Sequence, residues 1–198
     1  MLLRTLPLVG ALLLALTATT SAQPAKKKYH FELAAVTAKP EVKPDAAKAA
    51  QPRVEEQVKK AFETHPQLVA NLGDNVPDWK TAADPYRKLL AKKGLAGAFY
   101  VTVEITDAEE KVEKTDKPNT QRLTVKVSIH MLGETMPNHT MAFTGDGSAT
   151  IKQEIGKKLN ERDRKFTWDE AAKAAVDDAM VTVFKQLAAG VTPKSQKK

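Results

Sequence analysis

The chain contains no cysteine. That excludes disulfides, a thiol nucleophile, cysteine-ligated zinc or iron–sulfur clusters, and a lipid attached at a leader cysteine. Aromatic residues make up only 6% of the 198 positions, with two tryptophans. The four histidines, His30, His65, His130 and His139, show neither His-x-x-x-His nor His-Glu-x-x-His spacing, so no local metal signature exists. Gly-x-Ser-x-Gly is absent, and no glycine-rich stretch ends in Gly-Lys-Ser/Thr, so the serine elbow and the phosphate loop have no sequence support. A chain without disulfides must rest on its hydrophobic core, and this one is long enough for one domain.

What is present begins with an apolar run, Leu6 to Leu16, behind Arg4 and ahead of the small residues Thr20-Ser21-Ala22. That layout predicts a cleavable leader over residues 1–22, too short in its apolar part to span a bilayer, which needs about 20 residues. A retained anchor helix is the other reading. The expected mature chain, 176 residues from Gln23, is periplasmic or secreted. Net charge is +7, or +6 without Arg4. Lysines gather at the ends, Lys26 to Lys28 and Lys194, Lys197 and Lys198, where they are candidate contacts for an anionic polymer. No aromatic is interleaved as a base-stacking platform, so solvated ends compete with that reading and nucleic acid is not an expected partner.

Tyr29 to Val36 alternates, with Phe31, Leu33 and Ala35 on one side, and reads as a strand. Pro40, Pro44 and Pro52 then suggest an extended Pro/Ala/Lys-rich connector that completes a segment over 23–52. Val54, Val58, Ala61 and Phe62 form one helical stripe that Pro66 terminates. A short helix follows, with Asp84 as cap, Pro85 in its first turn and Gly94 at its close. Phe99 to Ile105 and Leu123 to Met131 alternate cleanly and predict two strands with one buried face, joined by a long charged loop over 107–119.

The stretch Met141 to Ile151 raises a choice. A hairpin at Asp146-Gly147 would mix apolar with polar residues on both faces, because directly paired residues share a face. A single strand instead puts Met141, Phe143, Gly145, Gly147, Ala149 and Ile151 on one face. One strand, bulged at the glycines if at all, is the reading adopted. Two interior glycines weaken a strand by about 0.5–1 kcal/mol each, which calls for compensation. Thr167 and Glu170 suggest a capping box opening a terminal helix, with Phe166 and Ala171 as a staple. Its inner stripe is Trp168, Ala172, Ala175, Ala179, Val183 and Leu187, and its alanines are expected to lie directly over Gly145 and Gly147. The expected fold is α+β: an antiparallel sheet of about four strands packed on one face by helices, order β-α-α-β-β-β-α, in a single domain over 53–189 that strand 29–36 joins. A disordered basic tail follows over 190–198.

Asp146, Ser148 and His139 could form a hydrolytic trio on the polar sheet face, though Ser148 lacks the sharp turn such a nucleophile uses. Asn138-His139-Thr140 fits a glycosylation sequon, with a turn after Pro137 as its structural alternative. Asp177-Asp178 and Glu109-Glu110 are sequence neighbours with no built-in convergence. Trp79 and Trp168 read as core residues.

The segments KGLAGAFYVTVEI, RLTVKVSIHML and DEAAKAAVDDAMVTVFKQL, within residues 53–189, resemble the periplasmic domain shared by TolB N-terminal regions, the curli secretion lipoprotein and outer-membrane activators of penicillin-binding proteins. MAFTGDGSATI also resembles a group of small secreted myxobacterial proteins. The first resemblance implies a binding or assembly module rather than an enzyme, although the anchor cysteine of its lipoprotein members is missing. The expectation is thus a non-catalytic module with a protein or cell-envelope partner. It assigns no catalytic residue, no cofactor and no metal; a hydrolase on the polar sheet face is the alternative.

Overall fold

The computed structural model describes residues 26–190. The expected leader (1–22) and all but the first residue of the expected basic tail lie outside them. Seven elements follow one another: β1 (Lys28–Ala38), α1 (Pro44–Thr64), α2 (Ala83–Lys92), β2 (Leu95–Lys114), β3 (Gln121–Thr135), β4 (Met141–Ile155) and α3 (Glu161–Ala189). The strands form one sheet in the order β1-β2-β3-β4. The class and order are those expected, with two differences: β1 runs parallel to β2, while the two pairs β2–β3 and β3–β4 are antiparallel, and α2 packs on the face opposite α1 and α3. α1 makes the crossover that a parallel pair requires.

One face of the sheet is roofed by α1 and α3. Val101, Val103 and Ile105 of β2, Leu123, Val125, Val127 and Ile129 of β3, and Phe143 of β4 are buried there against Val54 and Val58 of α1 and Trp168, Ala172, Ala175, Ala179 and Val183 of α3. Phe31 anchors the aromatic end of this core, edge-on to Phe62 and Phe99 and stacked on Phe143 and Phe184.

The glycines of β4 behave as expected. A Cβ on Gly147 would fall 2.0 Å from the Ala175 carbonyl oxygen and 2.6 Å from the Ala179 nitrogen. One on Gly145 would fall 2.8 Å from the Ala179 oxygen. Only hydrogen side chains let α3 lie this close, and the alanine stripe is the matching half of the contact. β4 is one strand with no reversal at Asp146 and no bulge at the glycines; its register shift opposes Gly133 and Glu134 instead.

Five expectations are corrected. Residues 44–52 are not a connector: α1 starts at Pro44 and carries Pro52 within it. Ala46, Ala47, Ala49 and Ala50 favour helix strongly enough to absorb the hydrogen bond that Pro52 cannot donate. Gln51 Nε2 also donates to the Val36 carbonyl, 2.7 Å away, tying that turn to β1. Residues 107–114 are not loop but the continuation of β2, paired with β3 out to Lys114↔Gln121. α3 is capped seven residues before Thr167: Asn160 Oδ1 accepts the Asp163 N–H at 2.8 Å. Thr167 is mid-helix, its hydroxyl 2.6 Å from Gln153 Oε1, and Phe166 is 55% exposed rather than a staple. α2 is capped at Ala82, leaving Asp84 inside the helix, where it accepts from Arg87. Ala35 is exposed, because a register shift between Leu33 and Ala35 turns Val36 inward instead.

Candidate functional site

The opposite face of the sheet is covered at one end only. There α2 and the irregular segment before it build a second small core, with Leu72, Trp79, Tyr86, Leu90, Leu95, Ala98 and Met136 buried and Tyr100 packed beside them. Tyr86 donates its hydroxyl to Met136 Sδ at 3.3 Å. Burial, reinforced by the Glu32 charge, pushes that phenol up to about 12. Trp79 lies against Tyr100 and His139, with the Lys80 ammonium 5.1 Å from the Trp79 ring centre. The Asp78 carboxyl, held by the Lys80 backbone N–H and the Thr81 hydroxyl, is shifted below the usual carboxylate range.

Beyond that cover the outward face is open and polar, and its side chains pair across strands. His130 Nδ1 lies 2.6 Å from Asp146 Oδ1, Ser128 Oγ lies 2.8 Å from Ser148 Oγ, and Lys126 Nζ lies 2.7 Å from Asp107 Oδ2. Two of the pairs are ladder partners, His130 directly opposite Asp146 and Ser128 directly opposite Ser148, whereas Lys126, which is opposite Glu109, reaches Asp107 diagonally. The trio expected from the sequence does not assemble. His139 sits in the β3–β4 turn, its Nδ1 3.2 Å from Glu134, while Asp146 is held by His130 instead. Asn138 and Thr140 occupy that same turn, and Asn138 Oδ1 accepts from Arg87 at 2.6 Å.

The remaining expected residues are dispersed. His30 Nδ1 is 2.7 Å from the Val69 carbonyl oxygen on the β1 edge. His65 is stacked on Phe184 with ring centres 3.9 Å apart, and burial, with Lys26 nearby, lowers its pKa. Among the described residues no group of three or more His, Asp or Glu side chains could hold a metal ion. Asp177 pairs with Lys173, whereas Asp178 accepts the Ser148 backbone N–H at 3.1 Å. Gln186 does the same for Thr144 at 3.1 Å, so α3 side chains satisfy the outer edge of β4 at two points.

Glu110 is the site residue whose role the sequence hid. Its Oε2 accepts the Trp168 indole N–H at 2.6 Å and the Arg164 Nε–H at 2.8 Å. The shared hydrogen bond raises the pKa of the Arg164 guanidinium. These three residues, with Lys43, Asp45 and Glu109, line a cleft of about 450 Å³ between the start of α1, β2 and α3. Five surface clefts among the described residues, that one included, take none of their lining from His130, Asp146, Ser128 or Ser148. The polar pairs lie outside those clefts.

No protein-family model matches the chain, and no curated protein matches it in sequence. Solved structures do. A proposed lipoprotein from Caulobacter crescentus is 11% identical, with 81% of this chain and 92% of that one covered and a TM-score of 0.46. A proposed neuraminyllactose-binding hemagglutinin homolog from Helicobacter pylori is 12% identical over 85% and 96%, with a TM-score of 0.40. A minor lipoprotein from Acinetobacter baumannii is 11% identical over 86% and 97%, with a TM-score of 0.38. None of the three carries the name of the TolB, curli or penicillin-binding-protein activator type that the sequence resembles, so that resemblance gains no support, and likenesses this distant assign no function. They do correct one expectation. Two of the three are lipoproteins by name, whereas the sequence reading has the chain free in the periplasm or secreted; that localisation is withdrawn. Among the described residues no helix is long and apolar enough to cross a membrane.

Proposed function

We propose that the chain is a non-catalytic binding or assembly module that meets a protein or cell-envelope component through the uncovered face of its sheet. The observation that carries this reading is the outward face of β3 and β4. Its His130–Asp146 and Ser128–Ser148 pairs satisfy each other across the ladder and line none of the five clefts described above. A hydrolase needs its base, nucleophile and electrophile site gathered around one reacting atom. No observation here favours that alternative. A sheet face with donors and acceptors at the spacing of the ladder suits recognition of a broad partner surface.

The test places a photo-crosslinking residue at one position at a time: Thr124, Ser148 or Thr150 on the open face, and Glu56 or Lys173 on the exposed backs of α1 and α3. Adducts with a partner are expected from the first three positions only. Adducts that form equally from the helix positions, or from them alone, would sink the reading.

A further inference from the structure

β1 is shorter than the strand it borders. Its pairing with β2 ends at Ala38↔Ile105, while β2 runs on to Lys114. Residues 107–114 therefore have β3 on one side and, among the described residues, no strand on the other. Which backbone groups point to that open side follows from the register. Lys39 donates to the Ile105 carbonyl at 2.9 Å, so Ile105 faces the β1 side. Thr106 is the extra residue of the shift between Ile105 and Asp107. Past it, Asp107, Glu109, Lys111 and Glu113 turn their amides to β3. Ala108, Glu110, Val112 and Lys114 turn theirs to the open edge.

An open edge invites another strand, and proteins usually blunt it. At β4 this chain does so with Asp178 and Gln186. At β2 the segment Lys111 to Lys114 is exposed, including Val112, which is 41% accessible. The sequence there is Glu110-Lys111-Val112-Glu113-Lys114. Laid antiparallel against itself with Val112 on the axis, it sets Glu110 opposite Lys114 and Lys111 opposite Glu113, twice each, and Val112 opposite Val112. Every charged pair among these five is then of opposite sign, and the two valines bury each other. Sliding by two residues in one direction sets Lys111 opposite itself and Glu109 opposite Glu113. Sliding the other way sets Glu113 opposite itself. Like charges directly opposite are destabilising, so one register is selected.

We propose that two copies of this chain associate through the free edge of β2, antiparallel about a two-fold axis at Val112, and so join their sheets into one of eight strands. Lys114 has no ion-pair partner among the described residues, and Lys111 and Glu113 pair only with each other, at 2.6 Å. In the dimer both sets of charges gain partners across the axis. The closed two-fold arrangement also consumes this edge and leaves no unpaired copy of it to propagate a fibre.

The absence of cysteine makes the test clean. In a hydrogen-bonded antiparallel pair the Cα atoms are about 5.5 Å apart, within the span of about 4.4–6.8 Å that a disulfide bridges. Val112→Cys should give a reducible covalent dimer under mild oxidation, and Lys152→Cys on the β4 edge should not at the same concentration. Light scattering over a concentration series should show the wild-type mass doubling. Val112→Pro removes an N–H that faces solvent in the monomer, so it should stay folded by circular dichroism and remain monomeric. Lys111→Glu should weaken association about tenfold or more, and Lys111→Glu with Glu113→Lys should restore it. A wild-type chain that stays monomeric throughout, a proline variant that dimerises equally well, or a charge swap that restores nothing would each overturn the proposal.

Discussion

Replacing Gly147 with alanine adds one methyl group at the tightest point between sheet and helix, and its cost can be worked from the geometry. The new carbon would sit 2.0 Å from the Ala175 oxygen, 2.6 Å from the Ala179 nitrogen and 2.9 Å from the Ala179 Cβ. Two of these three neighbours are backbone, so no rotamer change relieves them. To reach an ordinary separation of about 3.4 Å, α3 must lift by more than 1 Å or β4 must buckle, and a gap of about 0.5–1 Å already forfeits a quarter to a half of the dispersion attraction along the row. Overpacking of this kind costs about 1–3 kcal/mol, and the backbone obstruction argues for the upper part of that range. The alanine recovers about 0.5–1 kcal/mol by restricting the unfolded chain. The net expectation is a loss of about 2 kcal/mol, or a fall in Tm of about 4–8 °C for a domain of this size. Thermal and urea unfolding by circular dichroism measure it. Gly156→Ala is the control, since its Cβ would meet nothing within 4 Å. Ala179→Gly should not rescue the variant, because it removes only the 2.9 Å contact. A Gly147→Ala protein as stable as wild type would refute the close-approach argument.

Three further outcomes are expected. Glu110→Ala leaves the indole N–H of Trp168, a residue 1% exposed, without its acceptor and should cost about 1–3 kcal/mol in urea unfolding; Glu110→Gln, which keeps an oxygen there, should cost less. His65 has a folded-state pKa below its unfolded value, so its contribution is complete above about pH 6.5 and is lost as pH falls through the depressed value. His65→Phe should accordingly flatten the dependence of Tm on pH between neutral and mildly acid buffers, and an unchanged slope would count against the stacked neutral ring. Asp178→Ala frees the Ser148 N–H on the β4 edge and should raise the rate of aggregation at high concentration, followed by turbidity, with little change in Tm.

Period-two alternation made β3 and the first half of β2 legible because one face of each is fully buried. The glycine phase of β4 and the alanine stripe of α3 were legible together, since each explains the other. What escaped the sequence escaped for local reasons. Beyond Thr106 the shift in β2 reverses the inward phase and the alternation becomes one of charge, so Asp107 to Lys114 resembled loop. Pro52 resembled a break because its neighbours' helix propensity and the Gln51 anchor act on the other side of the balance. Thr167 with Glu170 read as the start of the helix, whereas the structure caps α3 at Asn160 and engages the Thr167 hydroxyl with the half-buried Gln153. Glu110 could not be singled out because its two donors come from a helix more than fifty residues away.

The longer of the two roofing helices, α3, is made after the sheet it covers. A ribosome that has reached Gly156 has produced all four strands, yet the rod that closes over Gly145 and Gly147 and satisfies Thr144 and Ser148 has still to emerge. Until Val183 and Gln186 arrive, the emerging polypeptide presents a one-sided oily surface with a bare rim. Its vulnerable interval during synthesis therefore lasts until that rod is out, and whatever shields unfinished chains has the most to do there.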